Sequence, residues 1–69
     1  LDTQQYEEAI KEFKIVIETN PMDISARYYL SVTLEMLKQY DSAIREVKKL
    51  LELDPNNIKA HFYLGSWYF

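Results

Sequence analysis

The stretch Tyr40–Asn57, YDSAIREVKKLLELDPNN, decides the fold, because an amphipathic helical pattern is followed directly by a proline. Its apolar residues recur at steps of three and four, which places them on one face of a helix. Pro55 has no backbone N–H and disfavours helical geometry at Asp54, so it ends the helix. The apolar face comprises Tyr40, Ala43, Ile44, Val47, Leu50 and Leu51. The opposite, solvated face comprises Asp41, Arg45, Glu46, Lys48, Lys49 and Glu52.

The same pattern stands 34 residues earlier, in Tyr6–Pro21, YEEAIKEFKIVIETNP. At this offset Tyr6, Ala9, Ile10, Phe13, Ile17 and Glu18 correspond to Tyr40, Ala43, Ile44, Val47, Leu51 and Glu52. In the remaining chain Ile24, Ala26, Tyr28, Tyr29, Leu30 and Ser31 correspond to Ile58, Ala60, Phe62, Tyr63, Leu64 and Gly65. So many apolar matches at one offset indicate an internal repeat.

Four helices follow from these patterns: 2–20, 24–38, a third that begins at or beside Asp41 and ends before Pro55, and 58–69. Asp23 is a favourable N-cap for the second helix, and Asn56 and Asn57 are available to cap the fourth. The turn at 38–39 contains no glycine, so any left-handed residue there is a costlier one. The buried face of the first helix is predicted to comprise Tyr6, Ala9, Ile10, Phe13, Val16 and Ile17. The inner row of the second is predicted to comprise Ala26, Leu30, Leu34 and Leu37, flanked by Tyr29 and Thr33.

Length and charge exclude several classes of protein. The chain has 69 residues, enough for one small domain, and a net charge of −3. Its eight basic residues are spread among acids, so no basic stripe for a nucleic acid exists. The apolar runs are too short for a membrane span. Absence of cysteine and of a signal-peptide pattern is compatible with a reducing compartment such as the cytoplasm, but the sequence leaves the compartment open.

The sequence predicts no catalysis, no metal and no cofactor. His61 is the only histidine and there is no cysteine, so a metal site is not expected; packing or a hydrogen bond at a helix start explains His61. Gly65 is the only glycine, which excludes a glycine-rich phosphate loop. The serines have no general base in a recognisable motif, and the carboxylates lie on solvated faces.

A period of 34 residues with two helices per unit resembles the tetratricopeptide repeat, whose pattern is W-x2-L-G-x2-Y, then A-x3-F, then P. Leu64, Gly65 and Tyr68 match the first part in the last helix, with His61 at the tryptophan position. The second helix matches less fully, because Arg27, Ser31 and Leu34 replace the aromatic residue, the glycine and the tyrosine. Ala9 with Phe13, Ala43 with Val47, Pro21 and Pro55 match the remainder.

The resemblance implies an all-α, helical-hairpin solenoid. Repeats of this family run from helix A to helix B, so the four helices would stand in the order B-A-B-A within one domain, 1–69. Residues 1–21 would be a half repeat with helix B, 24–57 a complete repeat, and 58–69 a half repeat with helix A. Small residues are expected where helices approach closest, namely at Ala9, Ser31, Ala43 and Gly65.

The resemblance also implies a protein-interaction scaffold, since A helices of this family line a groove that holds peptide segments. The groove positions would be Ser25, Tyr28, Tyr29, Val32, Met36, Lys59, Phe62, Tyr63, Ser66 and Phe69. Because half of these positions are aromatic and only Lys59 is charged, they favour an apolar or aromatic segment or helix over an acidic carboxylate, with Lys59 as a rim charge. Aromatic residues at helical spacing are more often core: we expect this for Tyr6, Tyr40 and Leu64, and leave both readings open for Tyr28, Phe62 and Phe69.

The alternative function is structural self-assembly through the end of the chain. Trp67, Tyr68 and Phe69 would close a helix with no following helix to cover it, which favours head-to-tail stacking or a symmetric dimer. The competing explanation is that the chain is a piece of a longer repeat array. Neither the partner nor the parent protein follows from the sequence.

Overall fold

The computed structural model describes residues 3–67, and side chains as far as Gly65. It contains helices α1 (Thr3–Thr19), α2 (Ile24–Met36), α3 (Tyr40–Leu53) and α4 (Ile58–Trp67), and no strand within residues 3–67. The predicted all-α class and the number and order of helices are confirmed. α2 ends at Met36, two residues before the predicted end at Lys38.

The two repeats begin their A-type helices α2 and α4 with the same cap. The carboxylate of Asp23 accepts a hydrogen bond from the backbone N–H of Ala26 at 2.9 Å. At the equivalent place, the amide oxygen of Asn57 accepts one from Ala60 at 2.9 Å. Each cap satisfies one of the unpaired N–H groups in the first turn of its helix. The predicted caps at Asp23 and Asn57 are therefore confirmed.

The turn between α2 and α3 is closed by a left-handed lysine. Lys38 has a φ of 61°, a conformation that glycine usually supplies. Its N–H donates to the carbonyl of Glu35 at 2.8 Å, and the N–H of Gln39 donates to Leu34 at 2.9 Å. These two bonds form a Schellman motif and satisfy carbonyls at the end of α2. Gln39 precedes α3 without a side-chain cap, and Asp41 lies in the first turn.

Within the described residues 3–67, extensive packing occurs only between helices that are neighbours along the chain: α1 with α2, α2 with α3, and α3 with α4. One core cluster comprises Leu30, Leu34 and Ala43, with Ile10, Phe13 and Ile17 packed against it. The second comprises Val47, Leu50 and Ala60, with Ile24, Tyr28, Leu51 and Leu64 packed against it. Packing mainly between helices adjacent in the chain is typical of a repeat solenoid.

Several residues assigned to the buried faces are more exposed than predicted. No residue of α1 is fully buried, and Val16 is 39% exposed. The equivalent residue of α3, Leu50, is 0% exposed because its cluster includes residues of both α2 and α4, whereas α1 packs extensively on α2 alone. Tyr40 is 46% exposed; it is the first residue of α3, where the helix end offers few neighbours.

The four small residues that were expected at close helix contacts also differ in burial. Ala43 and Ser31 are buried as predicted, and Ala9 is half-buried. At Gly65, an added Cβ would meet no described atom within 4 Å apart from its chain neighbours and the backbone of its own helix. The expected close helix approach at Gly65 is therefore wrong for this structure, because no helix in the described part covers that side of α4. None of the helices described is long and apolar enough to cross a membrane.

Candidate functional site

Five aromatic rings form a continuous row across three helices: Phe13, Tyr29, Tyr28, Tyr63 and Phe62. We call this set the aromatic row. The ring centroids of Phe13 and Tyr29 are 6.1 Å apart and stacked. The Tyr28–Tyr29, Tyr28–Tyr63 and Phe62–Tyr63 pairs meet edge to face at 5.5, 5.7 and 6.1 Å. Such geometries are the preferred ones for aromatic pairs, so the rings hold one another in place.

The repeat itself builds this row. Tyr28 and Tyr29 of α2 occupy the same repeat positions as Phe62 and Tyr63 of α4. Because α2 and α4 both pack against α3, their aromatic pairs come side by side and meet through Tyr28 and Tyr63. Tyr28 and Tyr63, the two rings in this contact, are half-buried, whereas Tyr29 is 54% and Phe62 is 72% exposed. The row therefore combines a fixed centre at Tyr28 and Tyr63 with an exposed ring on either side of it, Tyr29 and Phe62.

Two clefts lie along the row. One, which we call the aromatic cleft, has a volume of about 290 Å³ and is lined by Tyr28, Ile58, Lys59, Phe62 and Tyr63. The adjoining cleft of about 430 Å³ is more polar, because Ser25, Asp54, Asn56 and Asn57 contribute to it. The ammonium of Lys59 lies 5.4 Å from the centroid of the Tyr28 ring, within cation–π distance. A single positive charge thus stands at the edge of an aromatic surface.

The neighbourhood of Tyr28 affects the titration of the Tyr63 hydroxyl. Its hydrogen bond with Tyr28 raises the pKa of Tyr63 above 10.0, with burial and the negative charge of Glu35 acting in the same direction. The phenol is neutral at physiological pH, as an ordinary tyrosine is, so the raised pKa matters only in alkaline solution. It acts as a hydrogen-bonding link between α2 and α4.

The structure brings together many of the predicted groove residues. Those that line the two clefts are Ser25, Tyr28, Tyr29, Lys59, Phe62 and Tyr63. Val32 and Met36 lie further along α2 and line neither cleft, although Met36 is 56% exposed. The side chains of Ser66 and Trp67, and all of Tyr68 and Phe69, lie outside the described residues.

Ile24 and Ile58 were not predicted to line this surface. Both line the more polar cleft, and Ile58 is 83% exposed. The signal was available in the sequence, because an isoleucine opens the A-type helix of each repeat. Phe13 was assigned to the core, and it joins the row because α1 packs beside Tyr29.

His61 has a structural hydrogen bond in the repeat turn. Its Nε2 lies 2.6 Å from the carbonyl oxygen of Pro55, and since a carbonyl only accepts, the ring nitrogen donates. Arg27, at the equivalent position of the preceding repeat, donates from Nε to the carbonyl of Pro21 at 3.4 Å. Residues 3–67 contain no group of histidine, cysteine, aspartate or glutamate side chains that could hold a metal ion.

Comparison with known families gives a match over most of the chain. The family described as "Tetratricopeptide repeat" matches residues 1–65, nearly the whole chain. No curated protein matches the chain.

Proposed function

The chain belongs to the tetratricopeptide repeat family, and we propose that it is a non-catalytic scaffold that binds an apolar or aromatic peptide segment or helix of another protein along the aromatic row. Repeats of this family are protein-interaction modules and generally have no catalytic role. The choice of the aromatic row, and of an apolar ligand, is the proposal. The division into half repeats at 1–21 and 58–69 around a complete repeat at 24–57 belongs to the same proposal.

The exposure of Tyr29 and Phe62 in the row, and of Ile58 beside it, is the observation that carries this proposal. Phe62 is 72% exposed, Tyr29 is 54% exposed, and Ile58 beside them is 83% exposed. Clustered exposed apolar side chains mark interaction sites more often than singly scattered ones do. Burying one such side chain against a partner contributes about 1.5–3 kcal/mol.

The geometry favours an apolar face with one acidic neighbour as the ligand. Edge-to-face contacts already orient Tyr28 and Tyr63, so little rotamer entropy is lost when a ligand packs on them. An amphipathic helix can place two apolar side chains one turn apart against such a row. Lys59 would then pair with a carboxylate at the rim.

Some rings of the row also pack against the core, and this structural role is the competing explanation for their positions. Tyr28 packs against the second core cluster, so truncating it would also destabilise the fold. Phe62 is the ring best suited to a binding test, because its exposure leaves it little to contribute to the core.

The test is binding of a fluorescently labelled amphipathic peptide with leucine and phenylalanine on one face, measured by anisotropy. We expect saturable binding that Phe62→Ala weakens about tenfold or more, the loss typical of an aromatic hot spot. Tyr40→Ala is the matched control, since Tyr40 is an exposed aromatic residue outside the row and both clefts, and should change the affinity less than about twofold. Equal losses in the two variants, or no saturable binding, would refute the proposal.

Self-association is a second candidate function, favoured by the incomplete cover of α1 and α4. Val16 is 39% exposed where the equivalent Leu50 is 0% exposed, and Gly65 is open where Ser31 is 1% exposed. A second copy's α1 packed on α4, as α3 packs on α2, would cover both places. The predicted contribution of Trp67, Tyr68 and Phe69 stays part of this proposal.

Sedimentation at increasing protein concentration tests the second candidate. Stacking of this kind is heterologous and open-ended, so the mean mass should keep rising, whereas a symmetric dimer would reach a plateau. Val16→Glu should reduce the association. Met22→Glu, at an apolar residue in the turn between α1 and α2 that is more exposed than Val16, should not. A strictly monomeric wild-type protein at high concentration would exclude this candidate.

A further inference from the structure

A second groove lies between α1 and α3, above α2, and shares no lining residue with the aromatic cleft. It consists of two adjoining clefts of about 280 and 220 Å³ that share Lys14, Leu30, Glu46 and Lys49. We call it the α1–α3 groove. Its base is aliphatic: Leu30 and Leu34 are nearly buried, and the half-buried Ile10 and Ile17 stand beside them.

The charge of this groove is opposite to that of the whole chain. Four cationic side chains line it, and only two anionic ones do, which leaves a surplus of two positive charges in a protein of net charge −3. The cations are Lys14, Arg27, Arg45 and Lys49, and the anions are Glu18 and Glu46. A local positive field in an acidic protein attracts a negatively charged partner to this place.

Internal pairs engage part of this charge. Glu46 accepts a hydrogen bond from Arg27 at 3.4 Å and forms an ion pair with Lys49 at 3.9 Å. The Arg27 and Glu46 side chains are only 13% and 18% exposed. Arg27 also donates to the carbonyl of Pro21. The predicted solvated position of Glu46 is therefore wrong: it ties α3 to α2 instead.

Two cations stay available for an external anion. Within residues 3–67, neither Lys14 nor Arg45 has a carboxylate within 4 Å, and both side chains are exposed on the walls of the groove. Lys14 stands on α1 and Arg45 on α3, so the two face the same groove from opposite sides. A negatively charged ligand bound between Lys14 and Arg45 would pair with both cations.

We propose that the α1–α3 groove binds an acidic segment of a partner protein, with an aliphatic side chain between its carboxylates. The carboxylates would pair with Lys14 and Arg45, where the planar guanidinium of Arg45 can bind a carboxylate through two hydrogen bonds. The aliphatic side chain would pack on Ile10 and Ile17. A nucleic acid fits less well, because its closely spaced phosphates need a longer basic track than these few cations provide.

The test uses a short labelled peptide of alternating glutamate and leucine, with a glutamine–leucine peptide of the same length as its control. We expect saturable binding of the acidic peptide alone, weakened by added salt because the pairs are solvent-exposed. Lys14→Gln or Arg45→Gln should each weaken it about threefold, and the double variant about tenfold. Both residues are exposed, so the fold should persist, which circular dichroism checks.

Two matched variants separate this groove from other sources of binding. Lys11→Gln removes the same charge from α1 outside the groove, and Lys59→Gln removes it from the aromatic cleft; neither should change the affinity. Equal binding of the glutamine–leucine peptide, or an equal loss in Lys11→Gln, would overturn the proposal. Tighter binding of a single-stranded oligonucleotide with the same dependence on Lys14 and Arg45 would also overturn it, in favour of a nucleic acid.

Discussion

The inner helices α2 and α3 and the outer helices α1 and α4 have corresponding sequences but very different surroundings. Among the described residues, every fully buried side chain except that of Ala60 belongs to α2 or α3. The inner helices have a packed neighbour on both sides, whereas α1 packs extensively only on α2 and α4 only on α3. Apart from Ala26 and Ala60, which are both buried, the number of neighbouring helices therefore decides which copy of a repeated residue is buried.

The equivalent pairs make this difference measurable. Leu30 is 2% exposed and Leu64 is half-buried, although both occupy the same repeat position. Ala43 is 0% exposed, and Ala9 is half-buried. In a solenoid each repeat contributes its own stability and its interface with the next, so equal substitutions should cost more in the inner helices.

The largest expected difference in stability is between the equivalent leucines Leu30 and Leu64. Leu30→Ala should lower the free energy of unfolding by about 2–5 kcal/mol, because it leaves a cavity between α1, α2 and α3. Leu64→Ala should cost about 1 kcal/mol, since a half-buried side chain can be replaced in part by water. Chemical denaturation monitored by circular dichroism measures both. Equal losses would show that the outer helix is as well covered as the inner one.

An enlarged alanine provides the next test. Ala43→Leu should destabilise the protein by about 1–3 kcal/mol, because the buried site has no space for the added methyl groups. Ala9→Leu should change stability by less than about 0.5 kcal/mol, since α1 can present the larger side chain partly to solvent. Thermal unfolding of the two variants measures both changes in stability. An unchanged melting temperature for Ala43→Leu would contradict the placement of Ala43 in the core.

A smaller change of opposite sign is expected at Gly65. Gly65→Ala should stabilise the protein by about 0.5–1 kcal/mol, because alanine favours a helix and its Cβ meets no described atom. Ser31→Ala is the matched substitution in α2. It should give no such gain, because Ser31 is buried and donates to the carbonyl of Arg27 at 2.8 Å. Destabilisation by Gly65→Ala would mean that something does pack on that side of α4.

The smallest effect concerns the contact between α2 and α4. Because the pKa of Tyr63 is raised in the folded protein, mainly by its hydrogen bond with Tyr28, folding favours the neutral phenol. Its contribution to stability is present below about pH 10 and is lost as the pH rises through the raised pKa. Tyr63→Phe should therefore make the decline of stability above pH 10 less steep. An unchanged slope in denaturation at alkaline pH would contradict this role.

Much of the fold could be predicted because its signals are local. Pro21 and Pro55 end helices by their own stereochemistry, and Asp23 and Asn57 cap the helices that follow them. Val16 and Tyr40 were assigned to the core wrongly, because a helical pattern identifies an apolar face without revealing whether a second helix covers it.

The candidate site was predictable to a similar degree. The repeat pattern placed Tyr28, Tyr29, Phe62 and Tyr63 on neighbouring A-type helices, and these rings meet in the structure. The positive α1–α3 groove was not predictable, because Lys14, Arg45 and Lys49 look like ordinary solvated charges when each helix is considered alone. Only the packing of both helices on α2 brings these charges to one place.

The sequence by itself determined the four helices, their order and their period, since apolar spacing, prolines and capping residues act within a few positions along the chain. The tertiary structure alone decided which copy of each repeated residue is buried, that five rings join into one row, and that Glu46 pairs with Arg27. The physical reason is that burial and charge pairing depend on neighbours distant in sequence. Two residues in the same repeat position therefore differ in burial or in charge pairing when their neighbours in the fold differ.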